Sequence, residues 1–596
     1  MSITGRQECF MEFWDWLVVG FYVFCTVAIG IYFSKKAAQS TTDFFVAGRS
    51  LPWFIAGTSI VATTFAADTP LFVSGLTRGK GIYENWIWWN GAIAGAATVF
   101  FFARLWRRTK VLTDIEFITQ RYEPSRQNTA LRLFKVFYYG VMLNCIVIAA
   151  VTLAMVKIIN EVIDLPQEAL FSFPIIGEVT ATVLILVILG LCALAYSVLS
   201  GLYGVVYTDL LQFTLAMIGS VSLAVIVYIK ASGGEGLMAK LNSVPGFDPQ
   251  MLDFVPSLSA MNIVSFTFFV YLFISWWASA PGDGYFVQRL LACRSEKDSL
   301  LAYLWFNFCH YVLRPWPWII VAVLSIYYLP DLKDPETAFP AMINKFMPVG
   351  LKGVMVAAML AAFMSTLDTH LNWGTSYLMN DLYQPYIRKD ADPKHYVFVS
   401  RMCMLLTMLV SMLVASQMKS LVEIAKYMLV ILGSLGTVMI ARWYWWRVNP
   451  WSEISAMAAS LVIGNLVNNM SWTSAEELLP LRIVITVVIV TVTWVVVTLL
   501  TSEKPCAQTI AFQKKMRIGG PGWKRVEQET GIDPIKGELR DNAIGWLSFV
   551  GFIYSLLLGT GFFLFHKWHE GMICAGFGLV SGYVLAKMVG RMRFSD

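Results

Sequence analysis

Ser365, Asp368 and Thr369 stand at i, i+3 and i+4, a spacing that sets all three on one helix face, with Thr366 beside them. Hydroxyls and a carboxylate are the oxygen ligands a hard cation such as Na⁺ takes. Three apolar turns, Val354–Met364, precede the patch and put it deep in a membrane. An ionisable residue at that depth is expected to be functional. Two other stretches, Ala66-Ala67-Asp68-Thr69-Pro70 and Ser279-Ala280-Pro281-Gly282-Asp283-Gly284, interrupt apolar runs. Unwound backbone there frees carbonyls for a cation and amides for an anion. Asp68 can bind a substrate hydroxyl or ammonium, or can cap the half-helix that follows together with Thr69. Arg314 lies near the middle of an apolar run, with His310 one turn earlier on the same face. An unpartnered guanidinium there costs about 3 kcal/mol on insertion scales. Its partner is a substrate carboxylate or an acid of the chain such as Asp68 or Asp283. Trp88, Trp89, Trp276 and Trp277 offer flat faces for stacking or packing.

These residues need a scaffold that crosses a bilayer repeatedly. Of 596 residues, 57% are hydrophobic and only 14% charged, against about 25% charged in soluble domains. The mean hydropathy is +0.62. A cytosolic enzyme, a disordered chain and a secreted disulfide scaffold are excluded. The nine cysteines lie mostly in apolar stretches and suggest no disulfide pattern. The net charge of +6 implies no nucleic acid, because the basic residues form short clusters between apolar blocks. No cleavable signal peptide is expected. About fifteen membrane helices are predicted, over 14–33, 53–75, 83–105, 132–160, 177–198, 204–229, 262–292, 300–329, 350–382, 395–417, 421–446, 453–470, 481–500, 544–566 and 570–590.

The basic clusters, among them Lys35-Lys36, Arg104/Arg107/Arg108, Arg388/Lys389 and Arg442/Arg447, alternate with acidic connections such as Asp331/Asp334/Glu336. By the positive-inside rule the N-terminus is expected outside and the C-terminus in the cytoplasm. Residues 1–40 form an extra helix, 41–450 the transport core and 451–501 two flanking helices. Ser502–Asn542 is expected to be a polar regulatory or structural linker, and 543–596 two final helices.

Interrupted helices in equivalent places of two halves point to an inverted-repeat transporter with its site at the breaks. The stretches Asp43–Leu51, Ser200–Gln212, Val287-Gln288-Arg289, Ala361–Thr369 and Asn380–Tyr383 as a set resemble the sodium:solute symporter family. That family includes sodium/glucose cotransporters, the proline permease and a sialic acid transporter. The resemblance implies an all-α polytopic membrane protein with the leucine-transporter-like five-plus-five inverted repeat. Repeat one would span about 50–230 and repeat two about 260–447.

It also implies a first sodium site at Ala62, Phe65, Ala362, Ser365 and Thr366. A second would use Asp209, Ser365, Asp368 and Thr369. Between the breaks it implies a substrate site, for which Thr64, Asp68, Thr69, Trp88, Trp277, His310 and Arg314 are the candidates. The sugar carriers of the family have a histidine at the position of Thr69, a glutamate at Trp88 and a lysine at His310. The proline permease has an aspartate at Thr64. Neither pocket is reproduced.

The expected function is Na⁺-coupled import of a small polar organic solute across the plasma membrane, with no enzyme chemistry, organic cofactor or obligatory protein partner. Arg314 favours a carboxylate-bearing solute: an organic acid, sugar acid or amino acid. The alternatives are a sodium/sugar symporter and a transporter-fold sensor without net transport.

Overall fold

The computed structural model describes residues 11–594, except 38–45, 112, 164–167, 169, 174–176, 233–236, 259–261, 283, 471–475, 503, 532–533, 536 and 593. Asp283 and the start of the Asp43–Leu51 stretch lie outside the described residues. Among the described residues the regular structure is helical, apart from a short antiparallel hairpin of Phe171–Phe173 with Gly177–Val179.

In chain order the main helices are α1 (Phe13–Ala37), the bent pair α2 (Trp53–Thr63) and α3 (Asp68–Lys80), α4 (Ile82–Thr109), α5 (Arg126–Val162) and α6 (Ala181–Ser232). A second bent pair follows, α7 (Ile263–Ser279) and α8 (Gly284–Ala292), then α9 (Glu296–Tyr328), α10 (Leu351–Ile387), α11 (Pro393–Gln417) and α12 (Leu421–Tyr444). The set closes with α13 (Pro450–Asn469), α14 (Leu479–Thr501), α15 (Glu538–Leu564) and α16 (Trp568–Arg591).

Among the described residues eleven helices are long and apolar enough to cross a membrane, and the bent pairs bring the number to thirteen. Two of the fifteen expected spans are not separate apolar helices of that kind. The span 453–470 is the helix α13, which carries Glu453 and several asparagines. The span 177–198 is continuous with the next one inside α6. The contacts of α6 nonetheless run both ways. Thr182 donates to Asn160 at the end of α5, and Gly190 lies against Leu367 of α10. Tyr203 bonds Ser50, Asp209 bonds Ser365, and Gly219 lies against Met355. A straight helix of 52 residues would be about 78 Å long and could not bring positions as far apart as Gly190 and Gly219 to Leu367 and Met355, three turns apart on α10.

Proline sets the breaks. Pro70 is the third residue of α3. It has no N–H, and its ring excludes a helical carbonyl four residues back, so the run cannot continue through Ala66. α2 and α3 meet at 62° and α7 and α8 at 59°. In the second pair Pro281 is followed by Gly282 and Gly284 at φ of 69° and 51°, a region glycine enters without a Cβ clash. In α9, Pro315 widens the turn before it. Cys309–Leu313 is a π-bulge, and Arg314 N bonds Cys309 O five residues back at 3.3 Å.

α1 is fixed to α10 by a buried carboxylate. Asp15 Oδ1 accepts the backbone N–H groups of Gly350 and Gly353, both at 2.7 Å, and so caps α10 from outside its own chain segment. The segment expected as a linker contains two short helices, Ala507–Met516 and Lys524–Thr530, and it is docked rather than loose. Trp523 is fully buried and donates to Trp443 O at 2.9 Å.

Candidate functional site at the broken helices

Asp209 of α6 is buried, and its carboxylate ties two other helices together. Oδ2 accepts from Ser59 Oγ of α2 at 2.6 Å and lies 3.5 Å from Thr63 Oγ1. Oδ1 accepts from Ser365 Oγ of α10 at 3.1 Å. The guanidinium of Arg289 on α8 reaches the same two hydroxyls of α2, with Nε 3.5 Å from Ser59 Oγ and Nη2 3.4 Å from Thr63 Oγ1. Serine and threonine oxygens accept from the arginine on one side while Ser59 donates to the carboxylate on the other. A buried charge is thereby compensated through hydroxyls rather than by direct contact.

The neighbouring oxygens on α10 share this face. Thr366 Oγ1 donates to Ala362 O at 2.8 Å. That spends its proton and leaves its lone pairs directed away from the carbonyl, as the bond to Asp209 does for Ser365. Asp368 Oδ1 accepts from Asn372 at 2.5 Å, and the carboxylate interacts electrostatically with Arg289. Thr369 Oγ1 is buried with no hydrogen-bond partner. Ala62, Phe65 and Ala362 are buried, and Phe65 and Ala362 pack in one cluster. Of the eight residues expected at the two cation sites, Asp209 and Ser365 are bonded directly to each other. The others surround them on the broken end of α2 and on α10. These carbonyl, hydroxyl and carboxylate oxygens form a donor set suited to a hard cation.

Arg314 is buried beside the end of α2. Its Nη1 lies 3.4 Å from Val61 O and 3.4 Å from Thr64 Oγ1, and Nη2 lies 3.0 Å from His310 Nε2. Arginine only donates, so His310 Nε2 accepts. The histidine proton then sits on Nδ1, 3.2 Å from Thr64 Oγ1. Thr64 in turn donates back to Val61 O at 2.9 Å. Among the described residues no acid forms an ion pair with Arg314, and Asp68 acts on it only through space. Its charge faces the carbonyl end of α2, where a helix dipole favours a cation. The guanidinium also stands 5.4 Å from the Trp318 ring, and its Nε is buried and unpartnered.

Trp88 joins this group. Its ring meets His310 edge-on at 5.8 Å and stacks on Tyr311 at 5.9 Å, while its Nε1 donates to Asn85. Thr69 Oγ1 reaches Thr64 O at 3.3 Å and Asp68 Oδ1 at 3.5 Å. Ala67 occupies the cap position of α3, and Asp68 stands in the first helical turn, where its carboxylate meets the backbone N–H groups of Asp68 and Thr69. Trp277 is not drawn into this polar group. Its backbone is pressed against Gly436 and its ring meets Trp276.

A cavity of about 200 Å³ lies between the α7–α8 break and the face carrying the basic clusters. Ser279, Tyr285, His370 and Trp373 line one end, and Lys135 and Arg442 the other. None of the expected substrate residues lines it. The opposite, acidic face is sealed. Glu336 accepts from Lys157 Nζ of α5 at 2.7 Å, and from Ser420 Oγ and Val422 N of α12 at 2.7 and 3.1 Å. Beside it Arg78 of α3 donates to Leu329 O at 2.6 Å.

Sequence reasoning missed Ser59, Thr63 and Arg289 as partners of Asp209, although Arg289 belongs to a quoted motif. It also missed Tyr311 and Trp318. Nothing in the spacing of Ser59 signals contact with a residue 150 positions away, whereas Trp318 follows Arg314 by one helical turn, a spacing that could have shown it. The π-bulge before Pro315 was not expected either.

The sequence model of the sodium:solute symporter family matches residues 44–464. The sodium/glucose cotransporter of Vibrio parahaemolyticus is 24% identical over 479 residues, covering 76% of this chain and 84% of that protein. The high-affinity proline transporter of Bacillus subtilis is 24% identical over 449 residues, covering 72% of this chain and 88% of that one. Among solved structures, a substrate-bound, outward-open Na⁺-coupled sialic acid symporter aligns with a TM-score of 0.65 at 19% identity. The alignment covers 83% of this chain and 99% of that chain. The shared fold is the leucine-transporter-like inverted repeat, with its two broken helices at α2/α3 and α7/α8.

Proposed function

The chain belongs to the sodium:solute symporter family, and on that premise we propose that it carries a small polar organic solute inward with Na⁺ by alternating access. In this reading the basic face is cytoplasmic, the N-terminus is outside, and the repeats span about 50–230 and 260–447. The observation that carries the coupling is the Asp209 carboxylate, bonded at once to α2 through Ser59 and to α10 through Ser365. Two carboxylates, Asp209 and Asp368, face one guanidinium, Arg289, in this cluster. The excess negative charge, buried in low dielectric, favours one added cation.

Sodium held by Asp209, Ser365, Asp368 and Thr369, or by the carbonyls of Ala62, Phe65 and Ala362 with the hydroxyls of Ser365 and Thr366, would draw α2 towards α10. Binding that stabilises one arrangement of α2 against α10 shifts the gate equilibrium by its differential affinity for the two states. Coupling is reciprocal: sodium tightens solute binding by the factor by which solute tightens sodium binding. The membrane potential adds about 2.3 kcal/mol per charge per 100 mV.

The proposed solute bears a carboxylate. A buried guanidinium with an unpartnered Nε and no ion pair to an acid among the described residues supports this. A neutral sugar or polyol is the second reading, favoured by the stacked Trp88 and Tyr311 and by the partly exposed Asp68. The test is a thermal-shift screen of the purified chain with carboxylates, sugar acids, amino acids and sugars, each in NaCl and in choline chloride. Stabilisation by a carboxylate only in NaCl supports the reading. A neutral sugar as the only sodium-dependent hit moves the substrate to the second reading. No response to sodium overturns sodium coupling.

A further inference from the structure

Beyond the transport site, the last helix leaves a cleft. α16 packs chiefly on α15. Ala575, Gly578, Gly582, Ala586 and Gly590 recur along it at three- and four-residue spacing. Gly578 and Gly582 lie against Ser555 and Phe552 of α15, so α16 sits close on α15 and apart from the start of α9. The result is a cleft of about 1000 Å³, walled by Leu304 of α9 and by Phe552 and Leu556 of α15.

Lys297 is the one charged residue in its lining. It is exposed, as are Lys587 and Arg591 at the same end of α16, and none of the three has a hydrogen-bond or ion-pair partner among the described residues. The acids next to Lys297 are already engaged: Glu296 with Arg108 at 3.0 Å and Asp298 with Arg294 at 2.6 Å. Lys297 therefore stands uncompensated in the lining of an apolar slot, and Lys587 and Arg591 are further uncompensated cations at the same end of α16, outside that lining. The lining from Ala575 to Gly590 rises about 22 Å along the helix. One leaflet of hydrocarbon is about 15 Å deep. The slot thus matches one acyl layer with a headgroup at its charged end.

We propose that this cleft binds an anionic diacyl phospholipid of the leaflet on the basic face, its acyl chains lying along the glycine and alanine row and its phosphate at Lys297, Lys587 and Arg591. Lysine and arginine at the bilayer surface attract anionic headgroups. Calling that leaflet cytoplasmic rests on the orientation proposed above; the binding itself does not.

The experiment uses the full chain purified in detergent, titrated with phosphatidylglycerol or phosphatidylcholine at fixed ionic strength while the thermal midpoint is followed. Phosphatidylglycerol is expected to half-saturate at about tenfold lower concentration than phosphatidylcholine. Replacing the cations together, Lys297→Gln, Lys587→Gln and Arg591→Gln, should erase that difference. Ala586→Trp, from an exposed lining position, should blunt the response to both lipids. Equal responses of the unaltered chain to the two lipids would overturn the proposal. So would a preference that survives the triple replacement, or disulfide-linked pairs of chains carrying Ala575→Cys, which would make the cleft a seam between two copies. Sodium dependence is absent from these readouts, so failure of the transport reading leaves them standing.

Discussion

Asp209 is bonded from two helices, so replacing it with asparagine should keep the shape and lose the charge. The amide oxygen can still accept from one of the two serines that now bond separate carboxylate oxygens, and the amide NH2 can donate to the other. Hydrogen bonds to a charged group are worth about 1.5–3 kcal/mol. Asp209→Asn should therefore raise the sodium concentration for half-maximal thermal stabilisation about ten- to a hundredfold, with Asp368→Asn acting in the same direction. If both variants keep the sodium dependence of the unaltered chain, the cluster is not a cation site. Arg314 poses a different question, because its fork is already shared among Val61 O, Thr64 and His310. Arg314→Ala should reduce sodium-driven uptake of a carboxylate solute at least about tenfold, the equivalent of one 1.4 kcal/mol contact. Arg314→Lys should not restore it, since an ammonium cannot hold that fork. Normal uptake in Arg314→Ala, at normal expression, would confine the arginine to holding the end of α2.

At the scale of elements, the bends in α2/α3 and α7/α8 convert continuous spans into pairs of half-helices whose ends can move apart. On the acidic face one side chain gathers bonds from two helices. Glu336 is buried, and it joins the end of α5 to the start of α12 beside Gly75 of α3. Glu336→Gln keeps the size and removes the charge that Lys157 neutralises. With about 1.5–3 kcal/mol lost from the closed state, the acidic face should open more often. The labelling rate of a cysteine placed at Ser74, a buried position next to Gly75, should rise about tenfold with a membrane-impermeant thiol reagent. An unchanged rate would show that the closed state does not depend on this carboxylate. The same bends were readable beforehand, because Pro70 and Pro281 forbid a straight helix wherever the chain goes. The π-bulge before Pro315 and the reversal within α6 were less so, since they depend on what each turn meets.

At the scale of the molecule, the segment between α14 and α15 acts as a clasp on the basic face. Arg108 donates to Met516 O at 2.8 Å and Lys515 to Thr109 O at 2.7 Å. Arg121 donates to Arg442 O at 2.8 Å while its guanidinium lies 5.3 Å from the rings of Phe512 and Trp523. Removing a buried tryptophan typically costs about 3–5 kcal/mol. Trp523→Ala should lower the thermal midpoint of the purified chain, and an unaltered midpoint would mean the clasp is not part of the folded core. Composition had marked this segment only as polar, which is true of a linker and of a docked cap alike. The apolar blocks, the prolines inside them and the spacing of Ser365, Asp368 and Thr369 are local properties. They fix which stretches enter the bilayer, where those stretches break and which oxygens share a face, because backbone sterics and the absence of water act on neighbours in the chain. Which helix supplies the other half of each contact is not local. Asp209 meets Ser59, Arg289 meets the same hydroxyls, Arg314 turns to the carbonyls of α2 rather than to an acid, and Glu336 joins two helices on the acidic face. Those pairings depend on how the helices pack against one another, and only the tertiary structure decided them.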